Sequence, residues 1–165
     1  MNLTANITDK EMSVDSLPHT GLPYQMALLV ADNLQAIRDF YKKPISIHVG
    51  YRNPEHNKAV GGVATSQHLY GEAADFHIDG ISMEQIVNDI RNSKIKLPHK
   101  ISQVILEESK ARPGSWGWVH LGVFTTRWES QRKENGKSHA GNEFLKCIKN
   151  SYYAMTKDAT EKVLV

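Results

Sequence analysis

The chain has 165 residues, 40% hydrophobic and 23% charged, with one cysteine and a net charge of +2. That length suits one domain with a core of its own, and so small a charge gives no case for nucleic acid as a partner. Lone Cys147 excludes an internal disulfide and gives no support to a thiolate metal site, and no run reaches the ~20 apolar residues of a membrane span.

At the N-terminus, MNLTANITDKEMSVDSL has neither a basic start nor an apolar run, so no secretory signal is expected and synthesis is expected in the cytoplasm. The first strong element is a helix from about Tyr24 to Tyr41. There Met26, Leu29, Val30, Leu34, Ile37, Phe40 and Tyr41 recur at helical spacing, Pro23 suits the entry and Pro44 closes the segment. Ile45 to Tyr51 alternates as a half-buried strand, with Ile45, Ile47, Val49 and Tyr51 on one face and Ser46, His48 and Gly50 on the other. In a second strand, Ala73 to Ile78, the residues Ala74, Phe76 and Ile78 point inward while Asp75 and His77 share the opposite face.

Ser82 caps a helix running to Asn92, with Ile86, Val87 and Ile90 inward. Gln103 to Glu107 and Trp118 to Phe124 are two further strands. In the latter, Trp118, His120 and Gly122 oppose Val119, Leu121 and Val123. Glu143 to about Met155 is expected to be a closing helix carrying Cys147 as a small apolar residue. Residues 127–165 hold eight Lys or Arg against five Asp or Glu. The expected organisation is therefore a main domain over 1–128 and a basic extension over 129–165, helical and packed on the same domain. The fold class is α+β: a small, mostly antiparallel sheet with helices on one face and the chemistry on the other.

The stretch Ser66-Gln67-His68-Leu69-Tyr70-Gly71-Glu72-Ala73-Ala74-Asp75 is the most informative. It carries a loop histidine, a glycine turn, small residues and then an aspartate inside an apolar strand. A buried carboxylate is costly unless a cation or hydrogen bonds compensate. Gly71 permits a turn that returns His68 over the strand, and His120 adds a third donor. Two imidazoles and one carboxylate with an open position is the pattern of catalytic zinc. Three other readings stand beside it. His120 is a satisfied core histidine, Asp75 pairs with Arg52, or the set holds non-haem iron. Iron sites of that type place His and Asp two apart, whereas six residues intervene here, which makes iron the weaker reading.

The pattern Ser66-x-His68-x-x-Gly71-x-Ala73-x-Asp75 follows Gly50-Tyr51-Arg52-Asn53-Pro54 and Asn57-Lys58-Ala59-Val60-Gly61-Gly62, and precedes Trp118-Val119-His120. Together these resemble the zinc D-alanyl-D-alanine carboxypeptidase family, which includes phage L-alanyl-D-glutamate endopeptidases and shares a fold with the hedgehog signalling domain. The resemblance runs from about Leu17 to Phe124. It implies one zinc ion held by His68, Asp75 and His120, and a peptidase acting on the stem or cross-bridge peptides of bacterial peptidoglycan.

Many members of that family carry the catalytic base as a glutamate three residues before the second histidine, where this chain has Gly117. A branch of the family has a glutamate ending the preceding strand, at the position of Glu107. Strand parity also sets Glu107 on the face of Gln103, opposite Val104 and Leu106. Glu107 is the expected base, Glu108 is the alternative, and a surface ion pair is the bland reading of both. The resemblance gives Arg52 the role of holding substrate and its developing oxyanion, against an ion pair to Asp75 or Asp79. Ser66 matches a family residue that binds substrate, against a plain turn serine. His48 stands where the family often has threonine. It either lines the cleft or faces solvent, and His77 either supports Asp75 or faces water.

Trp116 and Trp118 are expected to pack around the strand of His120 rather than to form a sugar platform, and His19, His56, His99 and His139 to lie on the surface. The expected protein is a monomeric hydrolase acting on the cell wall, in the manner of a phage lysis enzyme. The competing readings are a zinc-retaining wall-binding module without catalysis and a structural module of a virus particle. Neither a nucleic-acid partner nor membrane insertion is expected.

Overall fold

The computed structural model describes residues 1–136, 141–155 and 162–163. The first helix, α1 (Leu22–Tyr41), has Pro23 in its first turn and buries Tyr24, Ala27, Val30, Ala31, Leu34 and Ile37 along one stripe. Strand β1 is Ser46–Val49 and a short helix α2 spans Pro54–Ala59, capped by the Asn53 side chain. A 3-10 turn, Gln67–Tyr70, leads into β2 (Ala73–His77). Next come α3 (Met83–Arg91), whose N-terminal Gln85 amide donates to the Ser82 hydroxyl at 3.2 Å, β3 (Ile101–Glu108) and β4 (Trp116–Val123). α1, α3 and the four strands fall where the spacing of apolar residues puts them, within a few residues at each end, whereas α2 and the 3-10 turn have no such spacing to announce them.

The sheet has the order β1-β2-β4-β3-β5-β6-β7, with β5 (Glu143–Ile148), β6 (Ser151–Ala154) and β7 (Lys162–Val163) at one side. All neighbours are antiparallel except β3 and β5. One face of β2, β3 and β4 supplies Ala74, Phe76, Val104, Leu106, Val119 and Leu121 to a core shared with α1 and α3. This is the α+β arrangement of a mostly antiparallel sheet with its helices against one face. Strand alternation turns Asp75, Glu107 and His120 to the other face.

The segment from Glu143 to Met155 is a β-hairpin, not the closing helix its spacing suggests. Phe144, Leu145, Cys147 and Ile148 imitate a helical stripe, but the burial along β5 alternates with period two, Leu145 and Cys147 being the buried pair. The open edge of β3 supplies the hydrogen-bond partners that fix the strand. Ile148 faces Ser151 across a two-residue loop, and Lys149 and Asn150 both take positive φ, 49° and 60°. That is the backbone demanded by the tight hairpin turn matching strand twist. Between β4 and β5 lies α4 (Thr126–Glu134), which spans the expected boundary at 128/129 and carries the helix expected of the extension only as far as Glu134. It is polar nearly throughout and buries only Trp128 and Arg132, so it lacks the apolar stripe by which a helix is recognised. His139 lies outside the described residues.

Candidate metal centre and active site

Each of three side chains reaches one point from a different element. Asp75 and His120 are register partners on β2 and β4, so their side chains stand side by side. His68 comes from the 3-10 turn, which ends on Gly71 at φ +69°, and a Cβ there would lie 2.1 Å from the Pro23 carbonyl oxygen. Both the left-handed backbone and the approach of α1 therefore require glycine at 71. The turn is pinned from below by buried Gln67, whose amide donates to Ser102 Oγ at 2.9 Å and to the Val123 carbonyl at 3.2 Å.

His68 Nε2 lies 3.3 Å from Asp75 Oδ1, and His120 Nδ1 lies 2.9 Å from the same oxygen. The residues are 4%, 7% and 8% exposed, respectively, for His68, Asp75 and His120. Their ligand atoms all lie within 4.8 Å of one another, a group that could hold a metal ion. Donors about 2.0–2.2 Å from a tetrahedral zinc stand roughly 3.3–3.5 Å apart. The His68–Asp75 separation meets this, and the His120–Asp75 separation does so after a shift of a few tenths of an ångström. His68 Nδ1 is 2.7 Å from the Gly50 carbonyl oxygen. A carbonyl only accepts, so Nδ1 carries the hydrogen and Nε2 keeps its lone pair toward the cluster. Burial alone would raise the Asp75 pKa, but His68 and His120 outweigh it and hold the carboxyl well below its ordinary 3.8. The donor set is thus one anion and two nitrogen bases with no lysine or arginine among them.

Glu107 is on the same face. It is the register partner of Trp118, while Ile105, two residues earlier, is the partner of His120. Burial pushes the Glu107 carboxyl above its ordinary 4.5, partly opposed by His120 and by a hydrogen bond from Cys147. Glu108 has other occupation. Its two oxygens accept from the Gly114 amide at 2.8 Å and the Lys149 amide at 3.1 Å, tying the β3–β4 loop to the β5–β6 turn.

Arg52 lies beside the cluster, its amide donating to the His68 carbonyl at 3.0 Å. Its Nη1 donates to Asn57 Oδ1 at 3.2 Å, and buried Asn57 in turn holds the Gly62 and Val63 carbonyls. Arg52 forms no ion pair with Asp75 or Asp79, and among the described residues its Nε is a buried polar atom without a hydrogen-bond partner. Ser66 is half-buried at the start of the 3-10 turn and makes no side-chain cap there. His48 Nε2 and His77 Nδ1 are 2.7 Å apart, His77 Nε2 is 3.2 Å from Asp79 Oδ1, and the His48 ring stands 6.4 Å from Trp118. His77 is therefore bonded away from Asp75. Trp116 packs against the core, His19 stacks on Tyr24, and His99 bonds to Asp32.

Two contacts at the site lie beyond what the sequence reading found. Glu72, 1% exposed, accepts from Thr125 Oγ1 at 2.7 Å and from both Nε and Nη2 of Arg127, whose guanidinium stacks on Tyr70. This ties the start of α4 to the segment between His68 and Asp75. A carboxylate between Gly71 and Ala73 at the mouth of an apolar strand signals that some cation must meet it, but nothing in the spacing says which. The second is the alignment of Glu107, Cys147 and Tyr152 as successive register partners across β3, β5 and β6.

Two imidazoles and a carboxylate, with half-buried Glu107 on the same sheet face, are a donor set that suits a zinc ion. A family model described as Peptidase M15 matches residues 2–100, well over half of the chain, and the protein belongs to that family of zinc-dependent metallopeptidases. No curated protein matches the chain. The matched segment contains Arg52, Ser66, His68 and Asp75, and the sheet brings Glu107 and His120 to them from beyond it. Among the described residues no helix is long and apolar enough to cross a membrane.

Proposed function

We propose that this metallopeptidase hydrolyses peptide bonds in the stem or cross-bridge peptides of bacterial peptidoglycan, with His68, Asp75 and His120 as zinc ligands and Glu107 as general base. The observation that carries the reading is the meeting of the three donors within 4.8 Å while β3 presents Glu107 on the same face. Zinc, when bound, supplies a Lewis acid that polarises a carbonyl and acidifies water. The ionised Glu107 carboxylate takes the proton of the attacking water and returns it to the amine nitrogen as the C–N bond breaks. Its raised pKa, caused by burial, makes it a stronger base than an exposed glutamate. The Arg52 guanidinium, held by Asn57, donates to the carbonyl oxygen as negative charge grows there, or to a substrate carboxylate. The Ser66 hydroxyl, free of any cap, contacts the peptide.

Peptidoglycan as substrate is supported by the motif resemblance around His68, Asp75 and His120, and the wall as site of action follows from that substrate. The non-catalytic reading rests on Gly117 in place of a glutamate; against it stands Glu107 on the sheet face of His120. The test is digestion of purified walls and of defined stem peptides by zinc-replete protein, with and without chelator, read by mass spectrometry. New amino termini that disappear with chelator are expected. Zinc-replete protein that releases none from any wall chemotype refutes the proposal.

A further inference from the structure

The β5–β6 hairpin lies wholly outside the segment matched by the family model, yet it borders the catalytic face. In the parallel pairing of β3 with β5, Glu107 is the partner of Cys147, and in the next pairing Cys147 is the partner of Tyr152. Paired residues project to the same side. The three side chains therefore form a row across three strands, adjacent to the row in which Asp75 and His120 continue into Ile105 and Leu145. Ile105, Leu145 and Cys147, with Tyr152 packed on them, make a small apolar cluster apart from the main core. Its position on this face shields one flank of Glu107 from water.

The register sets the Tyr152 phenol beside the Cys147 thiol and the thiol beside the Glu107 carboxylate, so that donation along the row can run only one way, toward the acceptor at Glu107. Burial, together with the charge of Glu107, pushes the thiol up to about 12 and the phenol up as well. Both groups keep their hydrogens wherever a peptidase works, so neither reverses the direction. A neutral donor suits this place. A lysine or arginine against Glu107 would fix its rotamer but depress its basicity, whereas a thiol orients it with little loss of proton affinity. It also engages part of the carboxylate and leaves lone pairs for water.

We infer that the C-terminal hairpin is part of the active site, with Tyr152 and Cys147 acting as positioning residues that aim the Glu107 carboxylate at the metal centre. The inference rests on Glu107 being the base. It gives residues 143–155 a role in turnover and makes an intact hairpin a condition of activity.

The experiment exploits the single cysteine, whose S–H stretch is a lone infrared band. In the full-length zinc-loaded protein this band is expected at the low wavenumber of a thiol bonded to a carboxylate, rising in Glu107→Gln. Cys147→Val is expected to lower kcat on a stem peptide about tenfold and Tyr152→Phe about threefold, while Cys147→Ser restores kcat to within about twofold of wild type. KM and zinc stoichiometry stay unchanged, a split that a merely structural defect would not give. Should Cys147→Val fold poorly, Tyr152→Phe and the band carry the same test. If Glu107→Gln is inactive while the band does not move and Tyr152→Phe keeps full kcat, the inference falls and the base stands. If Glu107→Gln keeps full activity, the base assignment falls and takes the positioning role with it.

Discussion

The ring nitrogen Nδ1 of His68 is held 2.7 Å from the carbonyl oxygen of Gly50, across the gap between the 3-10 turn and the end of β1. Gly50 is there because nothing larger fits. A Cβ at this position would lie 2.4 Å from the Met12 carbonyl oxygen, and Tyr51 donates its amide to that same oxygen at 2.8 Å. The N-terminal segment, the end of β1 and the orientation of the imidazole are thus one construction. Gly50→Ala must push Met12 away or rotate the carbonyl that fixes the tautomer of His68. We expect a loss of roughly 1–3 kcal/mol in urea unfolding and zinc binding weakened about 10- to 100-fold, as when a partner of a metal-ligating histidine is lost. Unchanged zinc affinity in a destabilised variant would show that the carbonyl does not orient the ring.

Much of this site was legible in the sequence, and the reason is local. His68 and Asp75 are seven residues apart around a glycine turn, and the parity of β2 and β4 puts Asp75 and His120 on one face whatever the partners of those strands. The same parity places Glu107 with them. What was not legible depends on distant partners. The strand β5 exists because β3 has an open edge, and a stretch holding Phe144, Leu145, Cys147 and Ile148 satisfies either period until that edge is known. The salt bridge of Glu72 with Arg127 spans 55 residues and joins a strand mouth to a helix without an apolar stripe. Neither half announces the other.

Removing the metal should be felt in the fold as well as in the chemistry. Without a cation the Asp75 carboxylate is buried against two imidazoles. Excess zinc stabilises the folded chain by RT ln(1 + [L]/Kd), about 4 kcal/mol at a thousandfold excess over Kd. Chelation is therefore expected to lower Tm by several degrees, and Asp75→Asn to abolish the difference between chelated and zinc-loaded samples. A melting curve indifferent to zinc in wild type would count against the three-donor centre.

Arg52 presents a different kind of test, because among the described residues its Nε has no partner and its Nη1 has one. Lysine at this position keeps a positive charge but loses the planar fork that bonds Asn57 and a ligand together. Arg52→Lys is expected to fold normally and bind zinc with wild-type affinity while kcat/KM falls about 10- to 100-fold, an amount typical of a lost charge-assisted bond to developing negative charge. Titration calorimetry with zinc and steady-state kinetics on one stem peptide separate the two properties. Equal losses in both would assign the Arg52 side chain, through its bond to Asn57, to the support of the metal centre.

Glu107 is placed at a cost to the fold, and that cost has a sign. Burial raises its pKa above the ordinary 4.5, so the folded chain holds the proton more tightly than the unfolded chain does. The stability this gives is fully present below 4.5 and is lost as pH rises through the folded value, leaving a desolvated carboxylate at neutral pH. Glu107→Gln removes the charge and keeps the shape. In metal-free protein at pH 7 it is expected to raise Tm by a few degrees relative to wild type, with the advantage vanishing below pH 4.5, where both side chains are neutral. In zinc-loaded protein the same variant should lose about 10²- to 10⁴-fold in kcat, and the wild-type kcat/KM should show an acid limb above the ordinary glutamate value, since only the ionised carboxylate accepts a proton. Stability gained and turnover lost at one position is the signature of a group placed for chemistry rather than for folding. A variant less stable than wild type at neutral pH would mean that the Glu107 carboxylate is sustained by attractions stronger than its burial.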